Sequence, residues 1–140
     1  MIELIFGGHG EGKTVEAVRR AASWVRTGGS VLFLTPTRYS ASHVEQVADL
    51  VEHEVPEVRE RFTATGVANV AEIHAKLDGQ PRDGLLVVID GASELVDYAL
   101  EELRRGGIRP GVRDMLDLTF ALARSVEAKG YRVVVTLAGD

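Results

Sequence analysis

Gly7-Gly8-His9-Gly10-Glu11-Gly12-Lys13-Thr14 stands between an apolar run, Ile2-Glu3-Leu4-Ile5-Phe6, and a helical stripe of Val15, Val18, Ala22 and Val25. The stretch reads G-x-x-x-x-G-K-[ST], which cradles phosphate where it joins a strand to a helix. Glycines let the backbone wrap, so that successive N–H groups point inward as an anion nest. A helix beginning near Gly12 adds its positive dipole end to the same point. Lys13 is placed to reach the β- and γ-phosphates as a compact charge. The Thr14 hydroxyl is placed to hold Mg²⁺, which keeps the rest of its shell as water and phosphate oxygens. Gly7, Gly8, His9, Gly10, Glu11, Gly12, Lys13, Thr14 and Val15 are therefore the expected nucleotide-binding residues. His9 and Glu11 fill free positions of the pattern and read as loop-tip residues rather than catalysts.

Working outward, 140 residues make one domain, large enough for a real core. Hydrophobic residues are 45% and charged residues 26%, ordinary for a globular chain. No apolar run approaches 18 residues, so neither a membrane span nor a secretory signal is expected. The absence of cysteine excludes disulfides and Cys-ligated metals and fits a cytoplasmic setting. A net charge of −5 argues against a generally basic nucleic-acid-coating protein and leaves room for a local basic loop.

Strand and helix signals alternate along the chain. Residues 2–6 read as a buried strand, and the helix after the loop ends at Thr27-Gly28-Gly29. Val31-Leu32-Phe33-Leu34-Thr35 is a second buried strand, closed by Pro36. A helix is expected from Ser42, with Glu45 completing a capping box and Val44, Val47, Ala48 and Val51 facing inward. Beyond Pro56 come a short strand at 61–65 and a helix capped by Asn69, with Val70, Ile73, His74 and Leu77 on one face. After a polar loop over 78–84, Leu85-Leu86-Val87-Val88-Ile89 is the most strand-like run in the chain. Helices fit 93–105 and 114–129, and residues 131–137 form the last strand. This alternation predicts an α/β fold: a mostly parallel sheet with helices on both faces, a three-layer αβα arrangement. The ligand is expected at the carboxyl ends of the strands.

An apolar strand ending in an acid is the usual second element of a phosphate site, and Asp90 follows Ile89 in that position. Its carboxyl group can hold the Mg²⁺ shell opposite Thr14, usually through water. Hydrolysis also needs an acid to orient the attacking water. Gly91 follows Asp90, so Glu94 is the candidate base; an acid complementing a helix N-terminus is the alternative. Thr136 reads either as a contact to the γ-phosphate region or as a strand residue bonded locally.

With these elements in order, the chain resembles a RecA-like P-loop core, the ATP-binding unit of recombinases, ring helicases, circadian-clock-type ATPases and helicase motor domains. Two likenesses compete. Val31 through Arg38 looks like the strand-plus-TPTR segment of helicase first motor domains, which contacts the nucleic-acid backbone in that family. Residues 90–95 are similar to their DEAx motif, and Leu137-Ala138-Gly139-Asp140 to the GD after a later strand. Residues 87–95 through Val133-Val134-Val135-Thr136 equally resemble the recombinase pattern, in which a later strand carries a γ-phosphate sensor. Gly91 replaces the helicase glutamate, and Thr35-Pro36-Thr37 stands where the recombinase glutamate is expected. The resemblance thus implies ATP and Mg²⁺ as ligands and leaves the hydrolytic base unassigned. Adenine is implied by the resemblance alone, since no residue in the sequence is identifiable as reading the base.

Arg104, Arg105, Arg109 and Arg113 sit in a Gly- and Pro-rich connection. That loop reads as a nucleic-acid contact, an arginine finger to a neighbouring subunit of a homo-oligomer, a dock for an acidic partner, or a solvated loop. Thirteen arginines against three lysines make arginine enrichment by itself uninformative. His74, on an apolar helical face, reads as a packed histidine. Three functions follow: an Mg²⁺-dependent ATPase acting with nucleic acid or in an assembly, a nucleotide switch with little turnover, and a small P-loop kinase.

Overall fold

The computed structural model describes residues 1–7, 12–36, 46, 49–50, 52–53, 60–81 and 83–138. Of the expected helix from Ser42, residues 46, 49–50 and 52–53 are described and are helical, whereas Ser42, Val44, Glu45, Val47, Ala48 and Val51 lie outside the described residues, as do Gly8, His9, Gly10, Glu11, Thr37, Arg38 and the Gly139-Asp140 pair. In chain order the elements are β1 (Ile2–Gly7), α1 (Lys13–Arg26), β2 (Ser30–Pro36), β3 (Phe62–Val67), α2 (Val70–Leu77), β4 (Leu85–Ile89), α3 (Ala92–Leu95), α4 (Asp97–Arg105), α5 (Val112–Glu127) and β5 (Arg132–Ala138). The five strands form one parallel sheet in the order β1-β5-β4-β2-β3.

The runs of Val, Ile, Leu and Phe are strands because both sheet faces are covered, leaving no polar side to alternate with. Val31, Phe33, Leu86, Val88 and Val134 pack with Ala17, Val18, Ala21, Ala22 and Val25 of α1. Residues of opposite parity, Leu32, Leu34, Val87, Ile89, Val133 and Val135, pack with Ile73 and Leu77 of α2 and with Leu122, Ala123 and Val126 of α5. Crossover direction explains the division. The chain moves from β1 across the sheet to β2 through α1, then returns from β3 to β4 through α2 and on to β5 through α5. Right-handed crossovers in opposite directions must lie on opposite faces.

Two of the differences from the sequence reading have clear physical causes. A continuous apolar stripe predicts one helix over 93–105, yet the chain bends at Val96 (φ −92°, ψ 0°). Hydrogen bonds continue through the bend, from Val96 N–H to Ala92 O (3.0 Å) and from Leu100 N–H to Val96 O (3.1 Å). The stripe therefore survives while α3 lies on the sheet and α4 follows α5. Helix α5 starts two residues before Asp114, whose Oδ2 accepts the Gly111 N–H at 2.8 Å. An acid inside the first turn is capping from within. Pro36 ends β2 beyond the last β4 pairing, Leu34 with Ile89, so its missing N–H leaves no gap in that ladder.

Candidate functional site

Parallel strands place all carboxyl ends on one edge of the sheet, where β1 hands over to α1. The chain leaves β1 toward the α1 face and leaves β4 toward the opposite face. The tips of β1 and β4 therefore stand on either side of β5 where the winding reverses direction, the position at which open α/β sheets bind ligands.

Period-two alternation carries the α1-facing residues to the strand tips. Phe33 pairs with Val88 and Val88 with Val134. Two residues further along come Thr35, Asp90 and Thr136, exposed by 0%, 2% and 1%. Three adjacent strands thus end in buried polar residues on the face that α1 covers.

Thr14, in the first turn of α1, completes the cluster. Its Oγ1 donates to Asp90 Oδ2 at 3.0 Å, with Oδ1 at 3.3 Å. Thr136 Oγ1 donates to Asp90 Oδ1 at 2.6 Å and accepts the Gly91 N–H at 2.7 Å. Because the Thr136 hydroxyl accepts from Gly91, its single hydrogen is directed at Asp90. The Asp90 N–H itself donates to Leu34 O at 2.9 Å, tying the turn after β4 to β2. Two hydroxyl groups and a carboxyl group, separated by 76 and 46 positions in sequence, meet in one hydrogen-bonded cluster.

Glycine has a conformational reason on each side of it. Gly12 caps α1 at φ +78°, and Gly91 caps α3 at φ +81°, both left-handed. The glutamate missing after Asp90 is missing at a position whose backbone disfavours any side chain. Glu94 stands in the first turn of α3, half-buried, its N–H donating to Gly91 O at 3.1 Å. Lys13 is half-buried in the first turn of α1, Val15 is 41% exposed, and Gly7 ends β1. An open depression of about 440 Å³ beside Gly12 and Lys13 is lined by Ile5, Phe6, Val15, Glu16 and Arg19.

The cluster suits a hydrated divalent cation. Oxygens 3.0 Å apart match neighbouring ligands of an octahedron with metal–oxygen distances of about 2.1 Å. One carboxyl group plus one hydroxyl leaves most of such a shell to water and phosphate, as Mg²⁺ prefers. No group of three or more His, Asp or Glu side chains forms a metal cage among the described residues.

Thr35 is the member that sequence reading missed. Its Oγ1 is buried and has no hydrogen-bond partner among the described residues. Counting by twos from Phe33 would have placed it beside Asp90, but only once β2 is known to pair with β4.

The arginines fall into two kinds. Arg104 pairs with Glu101 at 3.1 Å and Arg105 with Glu102 at 3.2 Å, within their own helical turns. Arg109 and Arg113 are exposed without an ion pair among the described residues, beside Ile108 and Val112, exposed by 53% and 48%. His74 is half-buried and lines a groove of about 460 Å³ between α2 and α5. Ser125 Oγ donates to Leu122 O at 2.6 Å, so His74 Nε2 at 3.3 Å is assigned as the donor to Ser125. Burial, then the Lys129 charge, holds His74 below the ordinary histidine range, against an opposing pull from Asp78. No described helix is long and apolar enough to cross a membrane. The chain matches no protein-family model and no curated protein.

Proposed function

We propose that this chain binds ATP with Mg²⁺ and hydrolyses it, as a minimal RecA-like P-loop NTPase of three-layer αβα build. The reading rests chiefly on one observation: Thr14, from the phosphate-loop motif, hydrogen-bonds Asp90, the acid at the tip of β4. Thr14 and Asp90 would hold the cation, and the cation would supply charge neutralisation at the phosphates. Lys13 and the N–H groups around Gly12 would carry the phosphates, aided by the α1 dipole. Thr136 fixes the orientation of the Asp90 carboxyl group that would hold the cation.

Phosphate release from ATP, measured with and without Mg²⁺ in wild type, Lys13→Ala and Asp90→Asn, tests the reading. Both variants should lose about two orders of magnitude in turnover. Turnover that survives Lys13→Ala would point to a contaminating activity and sink the proposal. Stimulation by single-stranded DNA would place the chain with nucleic acid; acceleration with protein concentration would place it in an assembly.

A second reading, a nucleotide switch with little turnover, is favoured by Gly91. That position carries no acid, and its N–H is occupied by Thr136. Tight Lys13-dependent ATP binding without phosphate release would select it. Phosphorylation of an added small-molecule acceptor would instead make the chain a kinase.

A further inference from the structure

Burying a hydroxyl group without a partner costs stability, and a strand offers valine as a substitute of the same shape. Thr35 bears that cost at the tip of β2, fully buried, its Oγ1 unpartnered among the described residues. Every other polar member of its row is bonded: Asp90 to Thr14 and Thr136, Thr136 to Gly91. Its neighbour on the other side, across the β2–β3 pairing, is Gly66, which places no side chain against it. Thr136 bonds Asp90 directly across β4–β5 at 2.6 Å, whereas across β2–β4 the Thr35 hydroxyl makes no such bond, which leaves that side open to one bridging water.

We propose that Thr35 is a positioning residue of the cation pocket, its hydroxyl holding a water of the hydrated Mg²⁺ on the β2 side of Asp90. Along the sheet, β5 with Thr136 lies on one side of β4 and β2 with Thr35 on the other, while Thr14 reaches the Asp90 carboxyl group from α1. Thr14 and Thr35 would then hold the cation and its water shell, while Thr136 orients the carboxyl group. This role presupposes the nucleotide and cation reading of the same site. It also separates Thr35 from the surface role that its TPTR context suggests, because a fully buried side chain cannot reach a nucleic-acid backbone.

The test is ATP affinity by calorimetry with Mg²⁺ and with chelator, for the full chain as wild type, Thr35→Val and Thr35→Ser, together with thermal unfolding of each ligand-free protein. Thr35→Val should weaken Mg²⁺-dependent binding about fivefold to tenfold and leave Mg²⁺-free binding within twofold of wild type. Its ligand-free melting temperature should equal or exceed that of wild type, since an unsatisfied hydroxyl has been removed. Thr35→Ser should bind as wild type does. If Thr35→Val fails to fold, Thr35→Ala against Thr35→Ser makes the same comparison.

Wild-type Mg²⁺ dependence that persists unchanged in Thr35→Val overturns this role and leaves the nucleotide reading standing. Equal weakening with and without Mg²⁺, accompanied by a lower melting temperature, makes Thr35 a packing residue and also overturns it. Wild type that binds no ATP removes both proposals together.

Discussion

At residue 91 the backbone decides which side chain can stand there. Gly91 adopts φ +81° and ψ 45°, caps α3 and gives its N–H to Thr136. Any L side chain there costs about 1–2 kcal/mol. Gly91→Ala and Gly91→Glu should therefore both lower unfolding free energy by about that amount, measured by urea titration. The glutamate variant should gain no phosphate release; a gain without loss of stability would show that the turn tolerates the acid. Gly29 is constrained by space instead. A Cβ there would overlap Trp24 Nε1, in a ring held by a bond to Gly84 O at 3.0 Å and by Arg132, 4.9 Å from its centroid. Gly29→Ala must displace the indole and should cost about 1–3 kcal/mol, with a shift in tryptophan fluorescence. An unchanged emission maximum and unchanged stability would mean that the ring moves freely.

Helix ends show which elements are written locally. Asn69 Oδ1 accepts the Glu72 N–H at 2.9 Å while Glu72 Oε2 accepts the Ala68 N–H at 2.8 Å, a reciprocal cap spelled within five residues. Asn69→Ala should cost about 1 kcal/mol in chemical denaturation. A cost near zero would mean that α2 is held by Ile73 and Leu77 alone. That cap was legible in sequence because both partners sit within one turn. The Val96 bend was not, since the stripe Leu95, Val96, Leu100 continues through it and the sheet decides where α3 must turn. Asp90 was legible as the end of an apolar run, whereas Thr35 became visible only through the register of β2 against β4. Local chemistry is written in order along the chain; adjacency across strands is not.

For the whole molecule the decisive step is the insertion of β5 between β1 and β4, which delivers Thr136 to Asp90. Alternating strands and helices foretold a parallel sheet, but not which strand lies beside which. On the opposite sheet face, His74 provides a global test of how the helices pack. Its imidazole lies between α2 and α5, with Ser125 at 3.3 Å, and burial and Lys129 outweigh Asp78 in favouring the neutral form. The unfolded chain protonates this histidine near pH 6.5, while the folded chain does so only at lower pH. Between those two values the unfolded state binds more protons, so stability rises with pH. The contribution is complete above about pH 6.5 and is lost as pH falls toward the folded value. Denaturation midpoints across pH 5–8 should fall on the acid side in wild type, with a shallower fall in His74→Gln, whose side chain does not titrate. An identical acid-side slope in both proteins would assign the loss to carboxyl groups and place His74 in water rather than between the helices.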